Sequence, residues 1–205
     1  MKAFTTFALA LATICLMSAP VHSEGLLKGV ENAVTGEQPS QSEIDKNRQE
    51  IRQVSQDALA TLAQINPAAR KAIERAPGYA VFSSFGVKIL VAGGTSGRGM
   101  VVDQRTRRET FMKMAQVQGG LGFGVEQDRL IFVFTEEQAL RNFIDQGWEF
   151  GGQAKLSAMA EGEGGMMSGA VSVAPGVYLY QLTETGLAAT ITVSGTKYYV
   201  DPDLN

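Results

Sequence analysis

A cluster of basic side chains is the part of this sequence best suited to binding chemistry. Arginine binds phosphate through its planar guanidinium fork, so such a cluster predicts a local site for the anionic headgroup of a phospholipid. The alternative is a hairpin turn over residues 104–108 that its charge keeps soluble, because runs of charge are often only solvated. Five cations fall within sixteen residues, joined by Lys88 if the neighbouring strands pair: Arg98, Arg105, Arg107, Arg108 and Lys113.

Carboxylates are the second group that could do chemistry. A glycosidase needs two of them at a set separation across a cleft, and a Ser–Lys pair of Ser83 or Ser84 with Lys88 is a further hydrolase alternative. Most of the acids fall in turns or at helix starts, and few other features of an active site are present. We therefore predict a protein that is not an enzyme and holds no metal or cofactor. The acids considered are Glu126, Asp128, Glu149, Glu161 and Glu163.

Residues 1–23 have the pattern of a secretory signal peptide: a short positive start, an apolar run and small residues before a cut near Ser23. They contain Cys15 and His22, the single cysteine and the single histidine of the sequence. A mature chain without both residues could not build a Ser-His-Asp triad, a Cys–His dyad or a thiolate and imidazole zinc site. We expect a periplasmic or secreted protein, or one held peripherally on the envelope membrane.

The charge balance limits the partners. The 205 residues carry 18 Lys and Arg against 21 Asp and Glu, a formal net charge of −3. No bulk positive field draws such a chain to nucleic acid, so any anionic partner must meet a local patch. Residues 24–41 are rich in glycine and small polar residues and predict a flexible linker. Residues 42–205 are long enough for one compact domain.

Glycines mark the segment from Gly119 to Glu126. Side chains alternate along a strand, so this segment places Gly120, Gly122 and Gly124 on one face and apolar residues on the other. Glycine costs conformational entropy in a strand, so we expect these residues where the sheet bends sharply or another element presses against it. Their spacing does not fit a nucleotide-binding loop. The residues predicted to be structural glycines are Gly94, Gly120, Gly122, Gly124 and Gly152.

The hydrophobic periodicity changes from helical to strand-like at residue 79. A helix is predicted over 42–65 with Ser42 and Asp45 at its cap, a second begins at Asn66-Pro67, and a third covers 136–146 with Thr135 as cap. Strands fill most of 79–135, with a hairpin at 125–130, and return at 148–156, 177–183, 187–193 and 197–200. A mobile loop is predicted over 160–169.

This order predicts an α+β fold. No regular alternation of strand and helix occurs, so a parallel sheet is not expected. We predict a strongly curved, mostly antiparallel or barrel-like sheet, preceded by a helical pair and with one inserted helix.

Several segments, in order along residues 44–205, resemble a SYLF domain, in particular its secreted bacterial branch. The resemblance is specific because it rests on many pieces rather than on one glycine motif. The clearest of them are Ala76-Pro77-Gly78-Tyr79-Ala80-Val81-Phe82, Gln118-Gly119-Gly120-Leu121-Gly122-Phe123-Gly124, Gly147-Trp148-Glu149-Phe150-Gly151-Gly152 and Ala174-Pro175-Gly176-Val177-Tyr178.

The resemblance implies lipid binding. Eukaryotic members of the family bind phosphoinositides and membranes, and some regulate actin together with SH3 domains. Here Thr110-Phe111-Met112-Lys113 replaces the Trp-Ser-x-Pro segment often seen in those members, and actin is not an expected partner of an exported bacterial protein. We expect a phospholipid-binding domain of the bacterial envelope that contacts anionic headgroups through the basic cluster. The alternative is an envelope scaffold or stress-related protein that binds another protein.

Overall fold

The computed structural model describes residues 39–157, 167–188 and 190–205, without the side chains of 86–93, 117–126, 150–157 and 190–194. The predicted signal peptide, nearly all of the predicted linker and most of the predicted loop at 160–169 lie outside the described residues. Residues 39–205 form a compact unit.

The described elements run in the order helix pair, long strands, helix, short strands, which confirms the predicted α+β class. The helices are α1 (Gln41–Ile65), α2 (Pro67–Arg75) and α3 (Glu137–Gln146). The strands are β1 (Gly78–Asp103), β2 (Arg108–Phe134), β3 (Trp148–Ser157), β4 (Val171–Ala174), β5 (Val177–Thr183), β6 (Gly186–Leu187) and β7 (Thr190–Val200).

All the described strand pairs are antiparallel. Strands β1 and β2 form one long ribbon, paired from Gly78 opposite Phe134 to Asp103 opposite Arg108. The other edge of β2 is shared, because β7 pairs with residues 112–116 and β5 pairs with residues 129–134. The sheet order is β3-β7-β2-β5-β4, with β6 beside β5.

The ribbon curls back on itself. Tyr198 of β7 is the register partner of Met114 near the start of β2, whereas Phe132 lies near the end of the same strand. A straight strand would place Met114 and Phe132 about 60 Å apart. The rings of Phe132 and Tyr198 nevertheless pack with centroids 5.3 Å apart. This return of one strand end to the other confirms the strongly curved antiparallel sheet.

Both faces of the curled sheet are covered. On the inner face, Phe143 of α3 packs against an aromatic cluster whose other members are Phe82, Phe132, Phe134, Trp148 and Tyr198. On the outer face, Ala58 and Leu62 of α1 pack with Val81, Ile131 and Val133 of the ribbon. Residues 131–134 are therefore fully buried on both sides.

The helix starts follow local chemistry, with two corrections. The predicted Asn66 cap and first-turn Pro67 of α2 are confirmed, and the Asn66 side chain accepts from the Ala69 N–H at 3.1 Å. Helix α1 is capped by Ser40 and Glu43, which form a capping box, rather than by Ser42 and Asp45. The predicted cap Thr135 does not cap α3, because its hydroxyl donates instead to the Gly176 carbonyl.

The predicted hairpin at 125–130 is wrong, because β2 runs through these residues without a turn. The Asp128 side chain within this segment is satisfied by a partner on a neighbouring strand. The Gln181 amide donates to the Asp128 carboxylate at 2.8 Å, and Arg129 is the register partner of Leu182. The ribbon turns instead at residues 104–107.

Three glycines let the two ends of β1 approach each other. A Cβ at Gly78 would lie 2.5 Å from the Val102 carbonyl oxygen, and one at Gly97 would lie 2.5 Å from that of Ser83. A Cβ at Gly99 would collide with the Val81 carbonyl oxygen and the Phe82 ring. These contacts leave no room for a side chain, so glycine is required where the curled ribbon meets itself.

Candidate functional site

The turn that joins β1 to β2 has a fixed conformation. The Asp103 carboxylate accepts from the N–H groups of Arg105 at 2.9 Å and Thr106 at 3.0 Å. The hydrogen bond from the Thr106 N–H, together with that from Arg105, lowers the pKa of Asp103, so the carboxylate stays ionised. Arg107 follows with a φ of 59° in the left-handed region. The arginines of this turn are therefore presented by an ordered backbone.

The side chains of Arg105, Arg107 and Arg108 are all exposed at this turn. None of the three forms an ion pair with a carboxylate in the part of the chain that the structure describes. Arg98 is also exposed, on the neighbouring part of β1, and donates to the Asn47 side-chain oxygen at 3.4 Å. The fold thus brings three of the predicted basic residues to one turn. We call Arg105, Arg107 and Arg108 the turn arginines.

Lys113 has a different environment. Its ammonium lies 2.9 Å from the Asp201 carboxylate, which is 2% exposed, and 2.9 Å from that of Asp203. Burial acts to lower the pKa of Lys113, but the hydrogen bonds to both aspartates outweigh it and raise the pKa. Lys113 is opposite Arg98 in the ribbon register. Its charge is neutralised by the two carboxylates, so it joins β2 to the C-terminal residues.

Lys88 and four of the predicted structural glycines lie in segments where the structure describes the backbone without side chains. The strands around Lys88 do pair, as the prediction required, and Lys88 is opposite Gly124 in the middle of the ribbon. Gly122 is opposite Leu90, next to an irregularity in the register. Gly120 belongs to the same stretch of β2, and Gly152 falls within a register shift between β3 and β7. Their role as structural glycines stays a prediction.

Gly94 has more space than expected. A Cβ at this position would lie 3.8 Å from the Gln116 carbonyl oxygen, which is an ordinary contact distance. Steric crowding therefore does not require glycine at 94. Among the described glycines that are crowded but were not predicted to be structural are Gly78, Gly97 and Gly99 of β1.

A cleft of about 350 Å³ opens beside the turn, between α1 and the ribbon. Its apolar part is formed by Leu59, Met100 and Val102. Its polar part includes one of the turn arginines and an ion pair across the cleft. The polar residues that line it are Arg52, Ser55, Gln56, Tyr79, Gln104, Arg107 and Glu109.

The ion pair in the cleft joins α1 to β2. The Arg52 Nε donates to the Glu109 carboxylate at 2.8 Å, and the Arg52 guanidinium lies over the Phe111 ring at 5.3 Å. Burial, and then the charge of Glu109, raise the pKa of Tyr79, so this phenol is a neutral donor at physiological pH. This pair could not be predicted from the sequence, because Arg52 and Glu109 lie 57 residues apart in the chain.

The hydrolase alternatives gain no support in the described residues. Ser84 is buried, and its hydroxyl donates to the Asp128 carbonyl at 3.4 Å. Glu109 is the single carboxylate that lines the cleft. Among the described residues, no group of three or more possible ligands could hold a metal ion, and no helix is long and apolar enough to cross a membrane. The side chains of Glu126, Glu161 and Glu163 lie outside the described part.

Comparison with known proteins agrees with the fold. Residues 115–205 match the family model Ysc84, described as Las17-binding protein actin regulator. The chain is also 29% identical over 154 residues to beta cell expansion factor A of Aeromonas veronii, covering 75% of this chain. The match spans 57% of the length of that relative. The resemblance to a SYLF domain drawn from the glycine-rich segments is confirmed by this match to the Ysc84 family model over residues 115–205.

Proposed function

We propose that this protein is a non-enzymatic phospholipid-binding domain of the bacterial cell envelope, which contacts anionic headgroups through the turn arginines with Arg98 beside them. The observation that carries the proposal is the ordered turn, which exposes three guanidinium groups, none of which forms an ion pair with a carboxylate of the described residues. The ordered backbone removes one entropic cost of binding, and the planar fork of arginine loses less side-chain freedom per hydrogen bond than lysine does.

The charge distribution supports a local contact with the membrane. The formal net charge of the chain is −3, so an anionic surface would repel the molecule as a whole. Near such a surface each arginine contributes about 1 kcal/mol of attraction, which falls off within a Debye length. The turn arginines can therefore orient the domain with its turn toward the membrane. We leave Lys113 out of the proposed contact, because its ammonium is already paired with the carboxylates of Asp201 and Asp203.

Co-sedimentation with vesicles tests the proposal. We expect the protein to pellet with vesicles that contain phosphatidylglycerol and to remain in solution with vesicles of phosphatidylcholine alone. Raising the salt concentration from 50 to 500 mM should weaken the binding, because the Debye length shortens. The absence of binding to vesicles of any bacterial phospholipid would overturn the proposed function.

A second candidate is an envelope scaffold that binds another protein. It is favoured by the description of the matching family model as a Las17-binding protein, a property of the family members so described. Tyr199 on β7 is an apolar residue that is 38% exposed, and it offers a contact for such a partner. Pull-down of a specific partner by the purified domain, lost in the Tyr199→Ser variant and accompanied by no vesicle binding, would favour this function.

A further inference from the structure

The cleft between α1 and the turn combines charges of both signs with an apolar floor. Arg52 and Arg107 are positive and Glu109 is negative, so these three groups leave one positive charge in excess. Arg52 is committed to Glu109 at 2.8 Å. The guanidinium of Arg107 makes no ion pair within the described part of the chain. A ligand would therefore place its negative group at Arg107.

Glu109 retains capacity to accept hydrogen bonds. A carboxylate has about four lone-pair sites, and Arg52 occupies one oxygen of Glu109 through a single described hydrogen bond. The carboxylate is 33% exposed, so a ligand can reach it. A ligand group beside Glu109 is thus favoured if it carries N–H or O–H donors and disfavoured if it carries none.

The cleft is held in shape by contacts that do not involve a ligand. The Gln104 amide donates to the carbonyls of Ile73 at 2.6 Å and Ala76 at 3.0 Å, which fixes the turn against the end of α2. Arg52 is fixed on the opposite wall by Glu109 and by the Phe111 ring. Because both walls are already ordered, binding there costs little conformational entropy.

We propose that this cleft binds a phosphodiester whose substituent carries hydrogen-bond donors, such as a glycerol or ethanolamine headgroup. The phosphodiester contacts Arg107, the substituent donates to Glu109, and the glycerol carbons lie on Leu59, Met100 and Val102. The Tyr79 hydroxyl is a further donor for a phosphate oxygen. A volume of about 350 Å³ falls in the range of small-ligand sites and admits one such headgroup. The inference rests on the proposed function where the source is a membrane lipid, and a free glycerophosphodiester offers the same chemistry.

Soluble headgroups test the site without a membrane. Titration calorimetry of the full chain would use glycerophosphoethanolamine, glycerophosphoglycerol and diethyl phosphate. The third ligand is a phosphodiester that carries no N–H or O–H donor. We expect both donor-bearing ligands to bind about tenfold more tightly than diethyl phosphate, as for loss of one hydrogen bond to a charged group. Equal affinity for all three, or binding of none at 10 mM, would overturn the inference.

Variants locate the binding in this cleft. Arg107→Asn suits the left-handed backbone and should weaken binding of both donor-bearing headgroups at least tenfold. Glu109→Gln should reduce the preference over diethyl phosphate, because an amide oxygen is a weaker acceptor than a carboxylate, and Tyr79→Phe, which keeps the packing, should weaken all three ligands about threefold. Arg141→Gln, on the exposed surface of α3, is the matched control and should bind as the unaltered protein does. Full binding by folded Arg107→Asn would contradict the assignment.

Vesicles distinguish the two sources of the ligand. If the headgroup comes from a lipid, Glu109→Gln should reduce the preference of the protein for vesicles containing phosphatidylethanolamine over phosphatidylcholine. If the source is a free glycerophosphodiester, the soluble ligands should bind although no vesicle pellets the protein. That outcome would support the cleft and refute the proposed membrane function. Vesicle binding without binding of soluble headgroups would support the proposed membrane function and refute the ligand site in the cleft.

Discussion

The rings of Phe82 and Tyr198 pack edge to face with their centroids 4.8 Å apart. Phe82 lies at the start of β1, and Tyr198 lies on β7 beside the opposite end of the ribbon. This contact exists because the ribbon curls. The curl is permitted by Gly78, Gly97 and Gly99, which lie where the two ends of β1 meet. The exposed turn and the cleft beside it depend on this close approach of the two ends of β1, since Met100 and Val102 of β1 line the cleft.

The first prediction compares two glycines of β1. Gly99→Ala should lower the free energy of unfolding by about 2–4 kcal/mol or prevent folding, because the new Cβ would collide with the Val81 carbonyl and the Phe82 ring. Gly94→Ala should change it by less than about 1 kcal/mol, because its Cβ would meet only ordinary contact. Urea unfolding measures both values. Equal stability of the two variants would contradict the close approach of the two ends of β1 at Gly99.

Lys113 and Asp201 provide the second prediction. Lys113→Met leaves the buried Asp201 without its ion-pair partner, and loss of one member of a buried pair is costly. The midpoint of thermal unfolding should fall, with a loss of about 2–4 kcal/mol. Lys46→Met removes an ammonium whose pair with Glu50 is exposed on both sides, so this control should cost less than about 1 kcal/mol. If both variants lose equally little stability, Lys113 is not the structural link that we describe.

The third prediction concerns the alkaline limit of stability. The two aspartates raise the folded pKa of Lys113 above the ordinary lysine value of 10.5. The stabilisation it gives is thus fully present below 10.5 and is lost as the pH rises through the raised pKa. Unfolding free energies at pH 8 to 12 should converge for the unaltered protein and Lys113→Met. A constant difference between them up to pH 12 would contradict the raised pKa.

The fourth prediction tests the aromatic core under the ribbon. Phe143 is 3% exposed and contacts five aromatic rings, so Phe143→Ala should cost about 3–5 kcal/mol. Phe85 is 39% exposed, and Phe85→Ala should cost less than about 1 kcal/mol. Chemical denaturation of both variants provides the comparison. A cost below 1 kcal/mol for Phe143→Ala would show that α3 does not close the inner face.

The sequence predicted correctly those parts of the fold that depend on interactions between neighbouring residues. The cap and proline that begin α2 depend on neighbours in sequence, and Asn66 and Pro67 were assigned correctly. The predicted hairpin at 125–130 was wrong, because the amide that satisfies Asp128 comes from Gln181 on another strand. Periodicity cannot show such a partner, because Gln181 lies 53 residues further along the chain.

The candidate site likewise combines a feature that is local in sequence with contacts between residues far apart in the chain. The turn arginines are neighbours in sequence, so their clustering was visible before the fold was known. Arg52 and Glu109 are far apart in the chain, and only the packing of α1 on the ribbon brings them to 2.8 Å. The pairing of Lys113 with Asp201 likewise needs the return of the C-terminal residues to β2. Contacts of this kind depend on tertiary structure, and no spacing rule in the sequence predicts them.

Vesicle affinity of a variant without the turn arginines tests the central proposal most directly. The variant combines Arg105→Gln, Arg107→Asn and Arg108→Gln, and the control combines Arg70→Gln, Lys71→Gln and Arg141→Gln at exposed helix positions. Both lose three positive charges. With vesicles containing phosphatidylglycerol, the turn variant should bind roughly a hundredfold more weakly than the unaltered protein, and the control within about threefold of it. Equal weakening of both, or full binding by the folded turn variant, would contradict the assignment of the turn arginines as the membrane contact.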